Sequence, residues 1–168
     1  MKLAQCIILD LLKDYDPVPI LPETCDFHFS GVQLLDQDNP TDDPSILYIG
    51  TTTQISSFNT EKLKDFCIIC IGKKEDVSSY IKNYQANLIL IPENHSLASV
   101  VNTLYTGFHR ILNWDGELQN AILRKQNYQS LFSIGGRFFG KNAMLMVNSS
   151  YNVIGTNLLE SPTHEKLD

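Results

Sequence analysis

Phe66-Cys-Ile-Ile-Cys-Ile71 decides the fold, together with two shorter runs of the same kind, Ile46-Leu-Tyr-Ile49 and Leu88-Ile-Leu-Ile91. A strand with one wet face alternates apolar and polar residues. Near-continuous apolar runs mark strands covered on both faces, as in a parallel sheet between layers of helix. Between the second and third runs, Val77, Tyr80, Ile81 and Tyr84 recur at helical spacing within residues 75–84. Strand, helix and strand of this length make a βαβ unit. The connection between the first and second runs, through Thr60-Glu-Lys-Leu-Lys-Asp65, has room only for a short helix. The pattern predicts an α/β domain over residues 1–95, with a small, mainly parallel, three- to four-stranded sheet and flanking helices.

Upstream of these runs, Leu3, Ile7, Ile8, Leu11 and Leu12 form one helical stripe over residues 2–14, which stops before Pro17 and Pro19. Phe27 and Phe29 alternate ahead of Gly31, which suggests a short strand and a turn. Residues 36–44 are loop by composition, too polar and too broken by proline for an element.

Downstream, Leu97, Val100, Val101, Leu104, Phe108, Ile111, Leu112, Leu118 and Ile122 keep a three-four spacing, so a long amphipathic helix runs from about Ser96 to Gln126. Such wide apolar coverage suits docking on the sheet or a helix-helix dimer seam. The seam positions would be Leu97, Val101, Leu104, Phe108, Ile111, Trp114, Leu118 and Ile122. Asn113-Trp-Asp-Gly116 marks a possible break or kink. A second helix is expected over Gln129 to Phe139, ended by Gly140. Residues 96–141 therefore read as a helical connector or dimerisation segment. In residues 142–168, Ala143-Met-Leu-Met-Val147 and Asn152-Val-Ile154 read as a hairpin around Asn148-Ser-Ser-Tyr151. A lone hairpin is marginal in water, so the expectation is a module only begun here, with an exposed turn and an apolar face covered by the preceding helices or by another subunit.

Composition narrows the class. A chain that is 43% hydrophobic can build a real core, and no apolar run approaches the ~20 residues that cross a bilayer. A formal charge of -6 opposes direct binding of this segment to duplex nucleic acid, which wants a basic face. Four cysteines, Cys6, Cys25, Cys67 and Cys70, lie in apolar context and do not resemble a secreted disulfide framework. The expected home is the cytoplasm, with no membrane contact. The Asn-x-Ser triplets at Asn94 and Asn148 would matter only in a secreted chain.

The candidate chemical motifs mostly dissolve under geometry. Cys67 and Cys70 have CxxC spacing, but within a strand residues i and i+3 point to opposite faces and cannot share a metal or a disulfide. Gly135-Gly-Arg-Phe-Phe-Gly-Lys-Asn142 approaches a phosphate loop, yet asparagine replaces the magnesium-binding hydroxyl and no strand precedes it. His28, His95, His109 and His164 lack ligand spacing among themselves. Asp115 and Glu117 fall on different sides of a helix and make a poor acid-base pair. Trp114 is an anchor in a core or seam. No catalytic residue, metal site or cofactor is expected. A ligand would sit where open parallel sheets hold one, beyond the C-terminal strand ends. There Thr51 and Thr52 offer hydroxyls, Lys73 a positive charge and Asn94 an amide.

Taken in order, the leading helix, the Leu47-Tyr-Ile-Gly50 strand, the long helix reaching Phe108 and Trp114-Asp-Gly-Glu-Leu118, then Leu131-Phe-Ser-Ile134 and a strand after Asn142, resemble the N-terminal part of PucR-like (purine catabolism regulator-like) transcriptional regulators of Gram-positive bacteria. That family carries an Asn-Pro before the strand and an aspartate in the turn. Here Asn142 matches, Ala143 replaces the proline and Asn148 stands at the aspartate. The resemblance implies a non-catalytic sensory region, a following GAF- or PAS-like module, and a helix-turn-helix DNA-binding domain further downstream. The expected function is a sensory and dimerisation region that relays a small-molecule or partner signal, as a homodimer. Two alternatives stand beside it: a small enzyme binding a nucleotide or anion at the strand ends, and a structural protein-protein interaction module.

Overall fold

The computed structural model describes residues 2–20, 27–35, 43–56, 66–78, 87–139 and 145–156. They form an α/β fold with a mixed, mostly parallel sheet flanked by helices, followed by long C-terminal helices and a terminal hairpin. The chain divides into two compact units, 1–108 and 109–168.

In the first unit, the three apolar runs become β5 (Ile46–Thr51), β6 (Cys67–Ile71) and β7 (Asn87–Ile91). They pair in parallel in the order β5-β6-β7, with Thr51 opposite Ile71 and Ile71 opposite Ile91. β4 (Gly31–Leu34) adds a parallel strand beside β5. β2 (Val18–Ile20) adds an antiparallel one beside β7. The sheet therefore has five strands, in the order β2-β7-β6-β5-β4, where the sequence suggested three or four. The extra strand comes from the segment after Pro17. At an edge, Pro19 withholds no bond the sheet needs.

Period-two alternation puts Tyr48, Ile68, Cys70, Leu88 and Leu90 on one face, in a buried cluster with Ile55 and Val77. Ile55 comes from α2 (Thr52–Ser56), and Val77 from helical residues 74–78. The opposite face carries Leu47, Ile49, Cys67, Ile69, Ile89 and Ile91, all as deeply buried. Each such side chain is worth about 1.5–3 kcal/mol when taken out of water. This double burial is why the runs lack polar residues.

The leading segment differs in detail from one helix over residues 2–14. It begins as β1 (Leu3–Ala4), antiparallel to β3 (His28–Phe29), continues as α1 (Gln5–Leu11), and tightens into a 3-10 turn, Lys13–Tyr15. Asp16, left-handed at φ 48, ends it just before Pro17. Ile8 and Leu12 face the core. Phe27 and Phe29 stack with ring centroids 6.0 Å apart. Gly31 is not a turn residue but the first residue of β4. The short helix expected over 60–65, the loop expected over 36–42 and residues 79–84 of the expected crossover helix lie outside the described residues.

The long helix, α3 (Leu97–Leu123), runs 27 residues without the break expected at Asn113 to Gly116. One interior glycine costs about 1 kcal/mol, too little to end a helix with side chains buried on both sides of it. Ser96 caps it, accepting from the Ser99 amide at 3.1 Å. Within the first unit, its opening turns are pinned to the N-terminal segment. The Tyr15 hydroxyl lies 2.8 Å from Ser99 Oγ and 2.7 Å from Thr103 Oγ1. Leu11 packs on Gly107, where any Cβ would meet it at 2.6 Å. The Tyr105 hydroxyl donates to the Val32 carbonyl of β4 at 3.0 Å. Lys125, left-handed at φ 52, ends α3, with the Lys125 and Gln126 amides donating back to the Ile122 and Ala121 carbonyls. That is the Schellman arrangement, with lysine where glycine is usual.

In the second unit, α4 (Tyr128–Phe139) starts on Asn127, whose Oδ1 accepts from the Ser130 amide at 2.9 Å. Gly135 and Gly136 lie inside this helix, so the resemblance to a phosphate loop fails on geometry; Gly140 lies outside the described residues. β8 (Leu145–Val147) and β9 (Val153–Thr156) form the expected hairpin. Asn148 builds its exposed turn, accepting from the Ser150 and Asn152 amides at 2.9 and 3.0 Å. α4 covers β9: the Phe132 ring lies so close to Gly155 that a Cβ there would meet it at 2.5 Å. The Gln129 amide also donates to the Thr156 carbonyl at 2.6 Å and accepts from its N–H at 3.2 Å. It thereby takes the place of a neighbouring strand.

Candidate functional site

Because β5, β6 and β7 are in register, their C-terminal ends lie side by side and bring the segments carrying Thr51, Thr52, Lys73 and Asn94 to one edge of the sheet. Thr51, Thr52 and Lys73 each have a partner within the chain there, and Asn94 is exposed. Thr51 is the N-cap of α2. Its amide and hydroxyl both donate to Gln54 Oε1, at 2.9 and 3.2 Å, and the Gln54 amide returns a longer bond to Thr51 Oγ1 at 3.4 Å. This is a capping box, in which cap and third helical residue satisfy one another's backbone donors. Gln54 Nε2 donates in turn to the Leu35 carbonyl at 3.3 Å, tying the helix start to the end of β4. The Thr51 hydroxyl is therefore engaged in local structure.

Thr52 turns its side chain onto Gly72, where a Cβ would collide with Thr52 Cγ2 and come within 2.8 Å of Oγ1. The two chain segments leaving β5 and β6 can approach this closely only because residue 72 has no side chain. The Gly72 amide donates to the Ile91 carbonyl at 3.0 Å, which extends the ladder one step past β6. Lys73 meets Glu93 at 3.3 Å, with the two side chains 57% and 60% exposed. An anion at Lys73 would compete with this carboxylate. Asn94 is exposed, in the turn closed by the His95 amide on the Pro92 carbonyl at 3.2 Å.

Gln54, Gly72 and Glu93 act at this edge beyond the four residues expected from the sequence. Gln54 was findable, since Thr51-Thr-Thr-Gln54 has the capping-box spacing. Gly72 was not, because its role depends on what lies opposite.

Cys67 and Cys70 are both buried and lie on opposite faces of β6, as the strand geometry requires. Burial, with a smaller contribution from Asp76, pushes the Cys70 thiol up to about 12. At neutral pH it is a protonated, apolar core group. Cys6 is exposed, and Cys25 and His164 lie outside the described residues. Among the described residues, no three His, Cys, Asp or Glu side chains are placed to hold a metal ion, and no helix is long and apolar enough to cross a membrane.

The positions expected at a helix-helix seam fall into three environments. Leu104, Phe108 and Ile111 are buried in the chain itself. Leu97, Val101, Trp114 and Leu118 are half-buried. Ile122 is 62% exposed, beside Leu123 at 79%. A seam made by α3 would thus be centred on its C-terminal turns, because the middle of the expected stripe is already packed. Comparison with protein-family models, curated proteins and solved structures gives no match.

Proposed function

We propose that this chain is a non-catalytic sensory and dimerisation region of the kind that opens PucR-like transcriptional regulators, acting in the cytoplasm as a homodimer. The observation that supports this reading most is the place of α3. The boundary between the two compact units falls at Phe108 and His109, inside one unbroken helix. Val100, Leu104 and Phe108 are buried on one side of that boundary, and Ile111 and Ala121 on the other. A continuous helix that runs from one unit into the next is the covalent path a signal relay would use. Such a relay requires two states with different affinity for an effector. The effector would be a small molecule or a protein partner met by the α/β unit, and the output would pass to a GAF- or PAS-like module and a helix-turn-helix domain.

Light scattering at high micromolar concentration tests the dimer, with a mass of two chains expected. Ile122→Glu places a charge on the exposed end of α3 and should give monomers with unchanged far-UV circular dichroism. A wild-type monomer would end the dimerisation reading, and a dimer indifferent to Ile122→Glu would move the contact away from α3. Duplex DNA should show no binding at physiological salt.

A further inference from the structure

We draw no further inference here: the strongest candidate, the outward face and free edge of the β8–β9 hairpin, where Leu145, Val147 and Val153 are exposed, carries none because nothing in the structure shows what covers it.

Discussion

Replacing Gln54 by alanine tests whether the edge at Thr51 is a structural joint. In the wild type, Gln54 Oε1 satisfies the Thr51 amide at 2.9 Å, and Nε2 satisfies the Leu35 carbonyl at 3.3 Å, both in part-buried positions. Gln54→Ala removes both partners and leaves the backbone groups behind. At about 1 kcal/mol net for each lost bond, the expected cost is about 2 kcal/mol. With a urea slope of ~2 kcal/mol/M, the midpoint falls by about 1 M. Thr51→Ala alone should cost about 1 kcal/mol, the usual penalty for losing a threonine cap. The double variant should cost less than the sum, since the two side chains share a bond. Urea titration of the four proteins followed by circular dichroism measures this, and deuterium uptake over residues 46–56 should rise in Gln54→Ala. A midpoint shift below about 0.3 M at unchanged slope, against the ~1 M expected, would refute the joint. Strict additivity of the two changes would refute the capping box.

Gly155→Ala drives a methyl into the Phe132 ring, 2.5 Å from its Cβ, and should cost about 1–3 kcal/mol by overpacking; Gly155→Ala with Phe132→Leu should recover part of it, and no recovery in thermal melts would show that the ring is not the obstacle. Lys73→Ala breaks an exposed pair with Glu93 and should change stability by less than about 1 kcal/mol. In a thermal-shift panel of phosphate compounds, any stabilisation lost with Lys73 would support an anion site at the strand ends. Alkylation at pH 8 should label Cys6 and spare Cys70 until urea is added, read by peptide mass spectrometry; equal rates in the folded chain would contradict the burial of Cys70. The sign of the pH effect follows from the raised thiol value. Between about pH 9, where an unfolded thiol ionises, and about 12, the folded state holds a proton that the unfolded state has lost. Stability contributed by the neutral thiol is complete below pH 9 and falls by about 1.4 kcal/mol per pH unit above it. Cys70→Ala should flatten that alkaline slope, measured by urea titration at stepped pH.

The central strands were legible because double burial leaves a direct mark on composition, and all three apolar runs became parallel neighbours. The hairpin was legible for a related reason: short β-rich segments bracket a turn that Asn148 can organise through its own side chain. The edge strand β2 was hidden, since a three-residue segment containing Pro19 has no periodicity to read. At the strand ends, residue type suggests a ligand site, and the fold adds that Thr51 caps a helix and Lys73 faces Glu93. Polar side chains at helix starts look alike whether they hold an anion or a helix N-terminus. Only the positions of their partners separate the two.

Local sequence, then, determined the three central strands, the two long helices and the hairpin, and that the central sheet lies between two layers, because burial on both faces is written residue by residue. The tertiary structure alone decided three other matters. It set the fifth, antiparallel strand, kept α3 unbroken through Gly116, and showed which side chains of α3 are already spent in the core. Each depends on contacts between residues far apart in the chain. Gly107 under Leu11, Gly72 against Thr52 and Gly155 beneath Phe132 are glycines in the sequence and close approaches only in the fold.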